Sequence, residues 1–161
     1  RRRRWPRRRD YLDPQLGPAM SVDPRTLGWL SRALTHEMRA VQQYLAHSVL
    51  ARRWGDEALS SKLRSEAVEE LGHAERLMER LIAVGVAPSA GNLPPSRLGR
   101  SVDELLAADR ELEVEAVRLY QEAVAHAQRM RDSGSAALLT EILAEELEHV
   151  QDIDSLRNAN G

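Results

Sequence analysis

Six residues able to bind metal recur in this chain at one constant separation. Glu37, Glu70 and His73 are each followed 76 positions later by the same residue type, at Glu113, Glu146 and His149. The match extends past these residues. At the same separation Ala40, Val41 and Tyr44 meet Ala116, Val117 and Tyr120, while Leu63, Glu69 and Leu71 meet Leu139, Glu145 and Leu147. A duplicated helical hairpin folded about a pseudo-two-fold axis would bring both sets around one point, which is the geometry of a dinuclear metal site. Carboxylates and imidazoles suit Fe(II), Mn(II) or Zn(II), and carboxylates shared by two cations offset the repulsion between them.

Each piece alone has a plainer explanation. A single Glu-x-x-His shows only that two residues share a helix face. A lone inward Glu is commonly a boundary residue reaching water. Tyr44 and Tyr120 read first as packing residues with hydrogen-bonded hydroxyls. The repetition of the whole set at one offset, on positions expected to face the core, favours metal binding.

Helical periodicity supplies that expectation. On the first helix Leu30, Leu34, Val41, Leu45 and Ser48 form a stripe through Glu37. On the second, Leu59, Leu63, Ala67, Ala74, Leu77 and Leu81 enclose Glu70 and His73. On the fourth, Leu139, Ile142, Leu143, Val150 and Ile153 enclose Glu146 and His149, and Glu113 sits among Leu106, Ala116, Tyr120 and Ala123. Four inward carboxylates are costly unless paired, protonated or bound to metal.

The elements that must position them follow from the prolines. All seven lie before residue 25 or between 88 and 95, leaving two long proline-free blocks. Asp23-Pro24 reads as an N-cap with Pro at the first helical position, and that helix is expected to run to about Arg53. Gly55-Asp56 breaks the chain, and a second helix spans about Asp56 to Val84. Ser101-Val102-Asp103-Glu104 is a capping-box pattern opening a third helix to about Arg131. Asp132-Ser133-Gly134 reads as a turn, with the last helix from about Ser135 to Leu156. The Pro-, Gly- and Ser-rich segment from Val86 to Arg100 suggests a crossover along an all-α four-helix bundle, between helices two and three.

At 161 residues one domain is the expectation. The chain has no Cys, which excludes disulfides, thiolate zinc sites and iron–sulfur clusters. No apolar run approaches a membrane span, and the Arg-rich start lacks the apolar stretch of a secretory signal. The expected location is the cytoplasm, free or within a protein compartment, with no membrane partner. The first nine residues hold seven arginines; without them 16 basic groups face 25 acidic ones, a charge of −9. The bundle should therefore attract cations, whereas the tail would attract an acidic partner or nucleic acid. Met20-Ser21 looks like an ordinary start, so residues 1–19 are either native or the product of an upstream start assignment. Three parts are expected: an Arg-rich disordered extension over 1–22, the bundle over 23–157 and a short tail over 158–161.

The segment His36-Glu37-Met38-Arg39-Ala40-Val41-Gln42-Gln43-Tyr44-Leu45-Ala46-His47 resembles the first-helix motif of the bacterioferritins. Glu69-Glu70-Leu71-Gly72-His73-Ala74-Glu75-Arg76 resembles their second-helix motif, and Glu146-Leu147-Glu148-His149 the fourth. The resemblance covers about residues 24–156 and implies a ferritin-like bundle binding two Fe ions, with Mn as the other candidate. It implies terminal carboxylates at Glu37 and Glu113, bridging ones at Glu70 and Glu146, and nitrogen ligands at His73 and His149. A histidine on both halves is similar to bacterioferritins more than to other ferritins, and Tyr44 matches a tyrosine that can supply an electron. The family's haem-ligating Met is replaced here by Leu71, so haem is not expected. The family's short fifth helix has no counterpart before Gly161, so the expected assembly is a homodimer or larger homo-oligomer, with the closed cage disfavoured.

The expectation is a ferroxidase that oxidises Fe(II) to Fe(III) with O2 or H2O2, for iron storage or detoxification. One alternative is a di-metal peroxidase or manganese catalase on the same scaffold. Another is a helical cargo or DNA-associated protein acting through its Arg-rich tail.

Overall fold

The computed structural model describes residues 22–160. The expectations for the Arg-rich extension fall almost wholly outside them. The described chain is all-α: α1 (Pro24–Arg53), α2 (Glu57–Ala83), α3 (Val102–Arg129) and α4 (Ser133–Ala159), with a long crossover between α2 and α3. No described helix is long and apolar enough to cross a membrane.

Side-chain caps set the helix starts. Asp23 accepts from the Arg25 amide at 2.8 Å with Pro24 at the first helical position, and Asp56 accepts from the Leu59 amide at 3.0 Å. Ser101 accepts from the Glu104 amide at 3.2 Å, but the Glu104 carboxylate bonds the amide of Arg100 rather than that of Ser101, so the capping box is shifted by one residue. Asp132 is itself a cap, accepting from the Ser135 amide at 3.0 Å. The expected turn residues Ser133 and Gly134 are therefore the first turn of α4. At the other end α4 continues through Asn158 and Ala159 of the expected tail, because nothing before Gly161 interrupts it, and Asn160 Nδ2 donates to the Leu156 carbonyl at 2.8 Å.

The duplication extends into the turns. Gly55 ends α1 at φ +83°, with amides 55 and 56 donating back to the carbonyls of Arg52 and Ala51. Arg131, 76 residues on, makes the same pair of bonds to Gln128 and Ala127 at φ +54°. A left-handed arginine is strained where glycine is not. Arg131→Gly is therefore expected to stabilise the chain by about 0.5–1 kcal/mol, a rise in melting temperature of roughly 1–4 °C.

Two apolar clusters fill the bundle. One contains Leu30, Leu34, Leu77, Leu81, Tyr120 and Ile142; the other Tyr44, Leu59, Leu63, Leu105, Leu112 and Ile153. Along every helix the repeated acidic and histidine residues fall between them. The expected α1 stripe drifts off the core. Leu45 is 44% exposed, and the buried row runs Leu30, Leu34, Glu37, Ala40, Tyr44, His47, Ala51. Two successive steps of four, from 37 to 41 to 45, rotate the face by about 80°, whereas alternating threes and fours hold it inward.

The crossover is pinned to α1. Gln42 Nε2 donates to the Pro94 carbonyl at 2.8 Å, and His47 Nε2 lies 2.5 Å from the Arg97 carbonyl. His47 Nδ1 is 2.8 Å from Asp109 of α3, which also accepts from Gln43 at 2.9 Å; the pair is fully buried. Burial lifts Asp109, and although burial opposes charge on His47, the Asp109 carboxylate raises it above its ordinary value.

Candidate metal centre

All six repeated residues are buried and meet in the layer between the two apolar clusters. They form two four-donor groups, Glu37, Glu70, His73 and Glu146, and Glu70, Glu113, Glu146 and His149, with the donor atoms of each group within 4.8 Å of one another. Glu70 and Glu146 belong to both. The planes of the His73 and His149 rings are inclined by 22°, with centroids 5.9 Å apart.

The tyrosines hold the outer carboxylates crosswise. Tyr44 on α1 donates to Glu113 Oε1 on α3 at 2.6 Å, and Tyr120 on α3 donates to Glu37 Oε1 on α1 at 2.5 Å. Burial, then the neighbouring carboxylate charge, lifts both phenols well above the tyrosine range, so each remains a donor. In each carboxylate the other oxygen, Oε2, is buried without a hydrogen-bond partner. Glu70 Oε2 is buried without a hydrogen bond too, while Glu146 Oε1 and Glu70 Oε1 pair with the Nδ1 atoms of His73 and His149, each at 2.8 Å. Buried polar atoms are normally satisfied. Three oxygens without a hydrogen bond, beside two oxygens whose close partners are imidazole nitrogens that can themselves bind metal, fit a pair of cations.

Without cations, the buried groups shift one another's affinity for protons. Burial, reinforced by the charge of Glu37, lifts Glu70 and Glu146 well above the carboxylate range. Burial also opposes charge on Glu113, yet Glu146 and His149 pull it down to about 2, and Glu70 and His73 lower Glu37 in the same way. His73 is pushed up to about 12, because Glu146, at 2.8 Å, with Glu37 and Glu70, outweighs its burial; His149 is raised by Glu113 and Glu70. In the metal-free centre the carboxylates thus favour charge on both imidazoles, while burial and their neighbours disfavour charge on Glu70 and Glu146.

The Nε2 atoms face outward to carboxylates. His149 Nε2 lies 2.6 Å from Glu69 and His73 Nε2 lies 3.1 Å from Glu145, residues that are themselves related by the offset. An imidazole held this way presents Nδ1 inward with a fixed tautomer. A surface hollow of about 390 Å³ lined by Glu69, Gly72, His73, Arg76, Glu145, Glu148 and His149 opens onto the two rings. A larger hollow, about 790 Å³, lies by Thr26 and Arg131 and touches none of the six.

The six repeated residues and Tyr44 lie together in this layer, with three features beside them that the sequence did not assign. The Glu69 and Glu145 pairing was visible as an offset match without a role. Buried Glu66, 3.5 Å from His149 Nε2, has no repeat partner to signal it, since position 142 is Ile142. The His47–Asp109 pair gave no periodic signal at all.

Residues 28–159 match the ferritin-like domain. Among curated relatives, the bacterioferritin of Mycobacterium leprae is 31% identical, covering 84% of this chain and 86% of its own length. The bacterioferritin of Brucella melitensis is 34% identical with 84% of each covered, and that of Streptomyces coelicolor 32%, covering 84% of this chain and 81% of its own length.

Proposed function

Since the chain belongs to the ferritin-like family, among the bacterioferritins, we propose that it is a ferroxidase whose six repeated residues bind two Fe(II) ions as substrate. The observation that carries this is the pair of four-donor groups sharing Glu70 and Glu146. Each Fe(II) gives up one electron. With dioxygen as oxidant, two electrons and two solvent protons yield hydrogen peroxide; with hydrogen peroxide, they yield two waters. Glu70 and Glu146, common to both groups, would hold both ions, Glu37 and His73 would hold one, and Glu113 and His149 the other. Both tyrosines bond a ligand carboxylate, so the electron-supplying role expected of Tyr44 is open equally to Tyr120.

Anaerobic titration with Fe(II) is expected to saturate near two ions per chain, and admission of oxidant to convert both to Fe(III). Saturation at one ion or none would overturn the reading. Peroxide turnover by Mn(II)-loaded protein, without net iron oxidation, would replace it with the manganese alternative.

Iron storage follows where copies enclose a cavity. The α1–α2 hairpin leaves Leu45, Val49, Val68 and Leu71 exposed, apolar area that a second copy would cover. A homodimer is expected by light scattering, and Val68→Glu is expected to shift it toward monomer.

A further inference from the structure

One buried polar pair has no counterpart across the repeat. His47 and Asp109 are fully buried, yet the offset carries them to Ala123 and Ala33, and it carries Gln43 to Leu119. Alanine therefore fills the other half where this half holds titratable groups. What distinguishes this half is the crossover, which bonds α1 here: His47 Nε2 lies 2.5 Å from the Arg97 carbonyl, while Nδ1 lies 2.8 Å from Asp109 Oδ1.

Both ring nitrogens thus face acceptors. A neutral imidazole has one N–H and serves one acceptor, whereas imidazolium serves both. Asp109 Oδ1 also accepts from Gln43 Nε2 at 2.9 Å, and an oxygen taking two donors has the character of an ionised carboxylate. Loss of one proton would leave a single N–H between a buried carboxylate and a carbonyl. The charged acceptor makes the stronger bond and keeps it. Nε2 would then turn a lone pair on the Arg97 oxygen, so an attractive contact becomes a repulsive one.

We propose that His47 is a proton-operated latch on the crossover: the doubly protonated ring holds residues 94–97 against α1 and α3, and loss of one proton releases them. The remaining anchors are exposed. Gln42 reaches the Pro94 carbonyl at the surface, and Arg97 turns its guanidinium away from the ring to Glu111, with side chains 55% and 61% exposed. Among the described residues Asp109 is the charged side chain that acts on His47, raising it above its ordinary 6.5 although burial opposes this. Asp109 is acted on in turn by His47, Gln43 and Glu113. The latch is therefore complete below pH 6.5 and is lost as pH rises through the raised value.

Trypsin reads the latch directly, because the carbonyl that His47 holds belongs to a bond trypsin cuts, Arg97–Leu98, whose residues are both exposed. Cutting there is scored against cutting at Arg100–Ser101 in the same chain, which cancels the protease's own pH profile. In wild type the ratio is expected to be low near pH 7 and to climb about tenfold or more by about pH 10, as the open population grows. His47→Ala should show the high ratio throughout. Asp109→Asn should keep it low and flat, since its amide can donate to Nδ1 and leave the ring's single proton on Nε2. A wild-type ratio that does not change with pH, or an Asp109→Asn ratio that climbs as wild type does, would overturn the proposal. Those two measurements leave the His47 ring in place and decide the matter where His47→Ala does not fold.

Discussion

Glu70→Ala is expected to slow Fe(II) oxidation by about two orders of magnitude or more while the helices persist. Glu70 lies in both donor groups, so truncation takes an oxygen from each ion at once and removes negative charge between two cations. The fold does not depend on that charge. Burial raises Glu70 well above the carboxylate range, so it is a strained group in the metal-free chain rather than a source of stability. Glu146→Ala is expected to behave alike, and His73→Ala or His149→Ala to weaken one ion more than the other. Glu79→Ala, on the exposed face of the same helix, should match wild type. Stopped-flow oxidation with circular dichroism on each variant checks the set, and a Glu70→Ala protein that oxidises iron as fast as wild type would refute the assignment.

Saturating the chain with two divalent ions is expected to raise its melting temperature by about 10 °C or more, through binding to the folded state alone. The gain should widen with pH. In the metal-free protein His73 is raised from 6.5 to about 12 and His149 is raised as well, so their stabilisation is complete below pH 6.5 and is lost as pH climbs toward the folded values. The raised Glu70 and Glu146 act in the same direction from pH 4.5 upward. Glu113, lowered to about 2, and Glu37, also lowered, stabilise above pH 4.5 and lose that contribution only in acid. Between pH 6 and 9 the metal-free chain should therefore weaken. The loaded chain has already given up those protons, at least one for each histidine, and should hold. Melting curves across that range, with proton release followed during anaerobic loading, test the claim; a metal-induced shift that narrows as pH rises would contradict it.

The four helices and the convergence of six donors were legible because both rest on periodic signals: proline-free blocks, i to i+3 spacing and the repeat of 76. What escaped was non-periodic or depended on which surfaces meet. The offset shows that Tyr44 and Tyr120 are equivalent, yet it cannot show that each bonds the Glu of the opposite half. Leu45 was misplaced because a row of fours drifts around the helix, and the start of α4 because Asp132 can serve a turn or a cap with equal local chemistry. Arg131 concealed a left-handed turn that glycine advertises at Gly55. His47 and Asp109 occur once each, and their burial depends on a crossover whose path no local pattern encodes.

The crossed tyrosines bear on what the crossover does. Each hairpin carries a complete half inventory of Glu, Tyr and Glu-x-x-His, yet Tyr44 and Tyr120 each reach across to the other hairpin, as does the 2.8 Å approach of Glu70 Oε1 to His149. Neither hairpin satisfies its own donors. The molecule is in this sense a tethered pair of like halves, and for the centre the segment between Ala83 and Val102 supplies effective concentration rather than shape. A tether is judged by whether it spans and by its length, so its sequence is freer to vary than its anchoring points at Pro94 and Arg97. The two halves, bound to each other through shared oxygens, are not free to vary independently.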